Sequence, residues 1–463
     1  MQELRDVLTR ARARARQLGR PVLASWSEPI VAMDPIDVLL DDPEGPQMFW
    51  ASADRAFAAA GIGAACTIEP TGAQRFADGG AAAARLYADA IIEPAPIRPL
   101  LMGGFAFDAT SATDAWRGFG ASSLVVPRLL VRRRGEDCVV TLAARVSYDT
   151  DIEDTAADLE ALQERVIVPD VTERPPLAIQ TTVEDTVPGA DWRRLVTSAV
   201  EAIQAGRLEK VVVAREERAP IPDVDVRAAL RQLHDSNAGA FIYGIWRAGR
   251  VLIGASPELL VRVRGREMAT SVLAGSTRRG ASEAEDSTLG QALTASLKDR
   301  EEHTIVRREL EAALSAVCDT VQVSARPDLM TLSHVQHLHT GVRGRLREGR
   351  TAFDVMERLH PTPAVGGAPR EAALAFIRSH EGIDRGWYAG PVGWCDDAHA
   401  EFAVALRCVL IGGGMARLYA GCGIVAQSDP VAEWEESQLK LRPALEALSV
   451  GVIQAQSTAG ELR

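Results

Sequence analysis

Lysine is almost missing from this chain. Lys and Arg together number 51, yet only Lys210, Lys298 and Lys440 are lysine. A desolvated ammonium can shed its proton, whereas a guanidinium effectively cannot. Each surviving lysine is therefore a candidate for work that arginine would not do, against the plainer reading of residual surface charge. Paired cysteine spacing is also missing. Cys66, Cys138, Cys318, Cys395, Cys408 and Cys422 are scattered without a CxxC, a pattern that offers no zinc signal and fits reduced thiols in the cytoplasm. No apolar run approaches a membrane span, the stretch 57–66 being among the longest. The N-terminal MQELRDVLTRARARARQLGR lacks the apolar core of a secretory signal and reads as an Arg-rich, solvated helix. Basic excess is absent too: the net charge of −12 disfavours nucleic acid and anionic membrane as partners. No GxGxxG or Walker-type loop follows a strand, which leaves dinucleotide and P-loop chemistry without support.

What is present suits a large soluble enzyme. The 463 residues, 47% hydrophobic and 25% charged, can bury a sizeable core. Strand-like runs lie at 124–132 and 138–144. The stretch 168–190 holds Pro169, Pro175, Pro176 and Pro188 and reads as a connector, so the chain divides into 1–185, 186–450 and a tail 451–463. After the connector, Trp192, Leu195, Val196, Ala199 and Ile203 fall at helical spacing, with Gly206 as a stop. A β-branched strand follows at 209–215. Further strands are predicted at 241–246, 251–254, 259–263 and 404–411, and helices at 296–317, 369–379 and 430–448, where Pro443 is placed to kink or end the last one. Strands and helices come in clusters, so the class is α+β with a large, mainly antiparallel sheet.

Two helices carry candidate chemistry. The helix at 296–317 opens with Ser296 and Asp299 at capping-box spacing. Its apolar stripe is Ile305, Val306, Leu310, Leu314 and Val317, and Glu302 falls on that side, where a carboxylate is costly unless it meets a cation or donor. The last helix starts well at Asp429-Pro430 and puts Glu433, Glu436 and Lys440 on one face. The two helices could bring carboxylates to a shared point, and such oxygen donors suit Mg²⁺; solvated surface charge explains the same spacing. His337 and His339 share a strand face, but no third ligand stands at zinc spacing. Ala274-Gly275-Ser276, Gly366-Gly367 and Gly421-Cys422-Gly423 either let backbone approach an anion or make tight turns.

Nine segments, in order, resemble the chorismate-utilising enzymes over about 191–448: LEKVVVAR at Leu208, GASPELL at Gly254, LAGSTRRG at Leu273, SLKDREEH at Ser296, SHVQHLHT at Ser333, HPTPAVGGAPR at His360, YAGPVGWCD at Tyr388, VALRC at Val404 and AGCGIVAQSDPVAEWEESQLK at Ala420. The resemblance implies an α/β sandwich of large antiparallel sheets in one compact unit, completed by the N-terminal part. By position, Lys210 is similar to the lysine that activates water and Glu258 to the general acid. Glu302 and Glu436 resemble Mg²⁺ ligands, with Asp299 and Glu433 in support. Tyr388 and Arg407 resemble residues that hold the pyruvyl carboxylate of chorismate. Gly275, Ser276, Gly421 and Lys440 resemble further substrate contacts, and His337 a residue near the ring. Lys210 is similar to the water-using members and unlike the anthranilate synthases, which lack it. Ala274 stands where aminodeoxychorismate synthases resemble one another in a second lysine, and Ala364 where salicylate synthases carry Thr. The pattern is closest to isochorismate synthases of menaquinone or siderophore synthesis, expected to be cytoplasmic and a monomer or weak homodimer. Salicylate-forming, amine-transferring and non-catalytic homologues are the alternatives.

Overall fold

Strands dominate because runs of Val, Ile, Leu and aromatic residues are buried on both faces, as in Phe241–Arg247 and Arg250–Ser256. The turn between these two is Ala248-Gly249, both at positive φ (47° and 71°), the geometry that matches strand twist in a two-residue hairpin. The computed structural model describes residues 2–40, 45–110, 113–167, 184–185, 189–221 and 224–448. Most of the 168–190 connector and the whole 451–463 tail lie outside them.

The described strands form a 13-stranded and a 10-stranded sheet. Neighbours are antiparallel except Val22–Pro29 with Ile91–Glu93. Both sheets take strands from either side of the connector: Phe241–Arg247 pairs with Gln47–Ala51 in the larger, and Pro391–Cys395 with Leu101–Phe105 in the smaller. One core includes residues of both sheets, among them Trp50, Tyr243, Met102, Leu124, Val261 and Phe402. A second includes buried residues of Gln2–Leu18, Val226–Ser236 and the end of the last helix.

Two runs predicted as single strands are each divided between the sheets. The first splits into Ser122–Val126 and Leu129–Arg134 around Pro127, which has no N–H to continue a ladder. The second splits into His399–Val404 and Cys408–Gly412 around Arg407, whose φ is 50°. The chain also crosses between sheets at Pro257-Glu258, from Arg250–Ser256 to Leu259–Arg264. The last two crossings lie side by side: Ala255 N donates to Arg407 O (3.3 Å), and Val404 N to Glu258 O (3.0 Å).

The helices begin where their caps put them. Ser296 Oγ accepts from Asp299 N (3.3 Å) ahead of Leu297–Ser315, and Asp429 Oδ1 accepts from Val431 N and Ala432 N ahead of Pro430–Ala447. Pro443 does not end the last helix, which runs on to Ala447. Gln2–Leu18 is not the wholly solvated helix expected. Leu4, Val7, Leu8, Ala11 and Ala15 form a buried stripe beside Val22–Pro29, a helical period hidden among the arginines. No helix among the described residues is long and apolar enough to cross a membrane.

Candidate active site

Each lysine of the chain meets a different carboxylate. Lys210 opens the strand Lys210–Pro220, is wholly buried, and puts Nζ 2.9 Å from Glu302 Oε1. Lys298 Nζ is 2.6 Å from Glu433 Oε1. Lys440 Nζ is 2.6 Å from Glu436 Oε1 and donates to Gly421 O at 2.9 Å. Burial pulls the ammonium of Lys298 down, but Glu433, Glu436 and Glu302 outweigh it and hold the group charged. Lys440 is held likewise, chiefly by Glu436. Lys210 differs: it is at ion-pair distance from Glu302 without hydrogen-bond alignment. Residual surface charge does not describe these residues.

Glu258 and Arg407 are brought together by the two adjacent sheet crossings. Glu258 N donates to Ser256 Oγ (3.2 Å), which fixes the turn. Burial pushes the Glu258 carboxyl up to about 7, against the opposing pull of Lys210, Thr362, Arg407 and Lys440. Arg407 donates to His337 Nε2 at 3.3 Å. A guanidinium can only donate, so the ring proton of a neutral His337 sits on Nδ1, which lies 2.9 Å from Ser276 Oγ and 3.3 Å from Gly275 O. Burial, then the charges of Arg407 and Lys440, push His337 down to about 3 and keep it neutral. Gly275 has φ 82° at a bulge between Ala274 and Ser276, and a Cβ there would come within 3.0 Å of Asp299 Cβ. Tyr388 stacks on Tyr419 with ring centroids 5.3 Å apart. Its hydroxyl would be 3.0 Å from a Cβ on Gly421. Ala364 is half-buried, two residues past Thr362.

The carboxylates gather, though not quite in the expected grouping. The Glu433 and Glu436 side chains and Cys422 Sγ offer donor atoms all within 4.8 Å of one another, while Glu302 turns to Lys210. Burial and the Glu436 charge push Glu433 up to about 7. Burial also raises Asp299, with Glu302 and Glu436 adding to it. Burial raises Glu436 as well, but Lys440 and Lys298 outweigh it and hold the group below the usual carboxylate range.

Thr362 and the Glu381–Arg385 pair were not singled out in the sequence, and Gly423 only as part of a glycine-rich segment. Thr362 Oγ1 donates to Glu258 Oε1 at 3.3 Å. At Gly423 a Cβ would lie 2.2 Å from Glu302 Oε1 and 2.8 Å from Lys210 Cε; its spacing of two from Gly421 on one strand was the available signal. Glu381 and Arg385 form a buried pair. Glu381 accepts from Ala214 N (2.6 Å), and Arg385 donates to Val212 O and Val365 O (2.8 Å each), tying the Lys210 strand to the Thr362 segment.

With this geometry in hand, comparison with known proteins is specific. The family described as chorismate binding enzyme matches residues 8–449. The chain is 38% identical over 452 residues to the "Salicylate biosynthesis isochorismate synthase" of Pseudomonas aeruginosa, covering 96% of this chain and 94% of that one. It is 33% identical over 450 residues to "Isochorismate synthase MenF" of Bacillus subtilis, covering 94% and 95%. Among solved structures, the menaquinone-specific isochorismate synthase MenF of Escherichia coli aligns with TM-score 0.79 and 26% identity, over 96% of this chain and 100% of the other.

Proposed function

The chain belongs to the chorismate-binding enzyme family, and on that premise we propose that it is an isochorismate synthase, adding water at C2 of chorismate as the C4 hydroxyl departs. One observation carries the mechanism: Glu258, a buried acid poised near neutrality, shares the site with the wholly buried Lys210. Lys210, as general base, takes a proton from the attacking water. Glu258, protonated, gives its proton to the leaving hydroxyl. Hydroxide is a poor leaving group, so both transfers are needed, and such transfers contribute about 10²–10⁴-fold each. Arg407 and Tyr388 hold the pyruvyl carboxylate. His337, neutral and orienting Arg407, adds no competing charge. Chromatography after incubation with chorismate tests the reading: isochorismate is expected, and anthranilate, or no turnover, overturns it.

Magnesium fits the donors present. Glu302, Glu433, Glu436 and Asp299 offer hard oxygens on two capped helices, the chemistry Mg²⁺ prefers, whereas the soft thiol of Cys422 adds nothing for it. Glu302 and Glu436 would hold the ion, with Asp299 and Glu433 supporting them; bound there, it supplies positive charge to the substrate's ring carboxylate. Glu436→Gln should weaken Mg²⁺ binding by at least about 10²-fold, since losing even a group that only orients a ligand costs about 10–100-fold, with far less effect on melting temperature. Calorimetric titration with Mg²⁺ reads this directly, and unchanged affinity removes Glu436 from the ligands.

Two further outcomes concern Gly423 and Thr362. Gly423→Ala forces Glu302 or Lys210 aside; a shift near 1 Å costs about 10²-fold, so steady-state rates should fall by that order while circular dichroism stays native. Thr362→Val removes a hydrogen bond that holds the Glu258 carboxyl down. The acid then stays protonated to higher pH, and the alkaline limb of the rate profile should move up. A limb that moves down would show that Thr362 acts otherwise. The six free, buried cysteines support our placement of the enzyme in the reducing cytoplasm. As a monomer or weak homodimer, it would supply menaquinone or siderophore synthesis.

A further inference from the structure

We infer that the protein has a second anion site, built on the buried guanidinium of Arg247, that takes a small apolar monocarboxylate. Arg247 ends the strand Phe241–Arg247 and keeps only 7% of its surface exposed. Nε donates to Ser123 Oγ (3.2 Å) and Nη1 to Trp246 O (2.8 Å), while Nη2 finds only the thioether of Met48 (3.5 Å). All three acceptors are neutral, and among the described residues no carboxylate stands at ion-pair distance. Burial pulls the group down to about 10, opposed only by the more distant Glu69.

Two of the other deeply buried arginines are compensated. Arg385 has Glu381, and Arg215 has Glu217. A buried charge without a partner is costly. Arg407 shares this state, meeting neutral His337 and no carboxylate at ion-pair distance among the described residues, and Arg407 is the residue proposed to receive the substrate's carboxylate. Arg247 is in the condition expected of a guanidinium that completes its pairing with a ligand.

Arg247 lines a cleft of about 580 Å³ with Val125, Trp246, Val251, Ile411 and Glu69. The walls are mostly apolar and suit a hydrocarbon body. Nearby Arg250 already pairs with Asp114 at 3.1 Å. The cleft therefore offers one uncompensated cation facing Glu69. A carboxylate matches it, accepting two parallel N–H bonds; a phosphate dianion brings a second charge that the lining does not balance. The strand Arg250–Ser256 leads from this cleft to Glu258, roughly 20 Å away at about 3.3 Å per residue, so the two sites are distinct.

Calorimetric titration of the full chain with benzoate tests the inference. Benzoate also fits the proposed catalytic site, so Arg407→Gln serves as the background. Expected are one benzoate per Arg407→Gln chain, affinity at least about tenfold weaker when Arg247→Met is added, and no displacement by equimolar inorganic phosphate. Absence of benzoate binding in Arg407→Gln, equal affinity with and without Arg247→Met, or displacement by phosphate overturns the site. Should Arg247→Met fail to fold, the exposed Glu69 decides. Glu69→Gln removes the opposing charge and should tighten benzoate two- to threefold; unchanged affinity refutes the inference.

Discussion

Lys210→Gln should fold and lose about 10³-fold of its water addition, in the middle of the range for a removed acid–base group and equal to about 4 kcal/mol of barrier. Glutamine keeps a polar head of similar reach but cannot accept the proton of the attacking water. The substitution also leaves Glu302 without its lysine partner at 2.9 Å, in a site where that carboxylate is almost buried. Some loss of stability therefore accompanies the loss of rate, and the two must be separated. The double variant Lys210→Gln/Glu302→Gln removes the orphaned charge. It should recover melting temperature without recovering rate. A Lys210→Gln protein with native circular dichroism and near-native turnover would remove this lysine from the chemistry.

Glu258→Gln should be similarly severe, about 10³-fold, and should also change the shape of the pH profile. The acid must be protonated to work, and burial sets its carboxyl at about 7. In the wild type, kcat/KM should fall about tenfold per pH unit above that value, because the working form of the acid is the protonated one. Glutamine does not titrate, so the residual activity of Glu258→Gln should lack this alkaline limb. Stopped assays across pH 5.5–9 read both effects. A limb that persists in the variant would assign it to another group.

Much of this site was legible in the residues, but not from spacing alone. Glu433, Glu436 and Lys440 share a helix face, and that face could equally have been solvated. The nine ordered segments decided between the readings by resemblance, and the lysine pairings agree: Lys210, Lys298 and Lys440 each meet one acid of the cluster. Arg407 was identified, yet its setting was not. The apolar run at 404–411 looks continuous, and the break shows only as positive φ at a non-glycine residue where the chain changes sheets. Thr362 and Glu258 meet across 104 positions of sequence, a contact that no local pattern encodes. The buried stripe of Gln2–Leu18 was obscured for a different reason, since the arginines between its apolar positions dominate the composition. The α+β class and the antiparallel sheets were readable because burial and turn chemistry act locally. The shared sheets were not, because pairing between Gln47–Ala51 and Phe241–Arg247 depends on closure of the whole chain.

Incubation with chorismate and Mg²⁺ in ¹⁸O-labelled water, followed by mass spectrometry of the products, addresses the central claim directly. Addition of water at C2 with loss of the C4 hydroxyl should yield isochorismate carrying one ¹⁸O in its C2 hydroxyl, with the same product formed whether or not ammonium is present. Isochorismate without the label, an aminated product when ammonium is supplied, or salicylate released as fast as chorismate is consumed would contradict it.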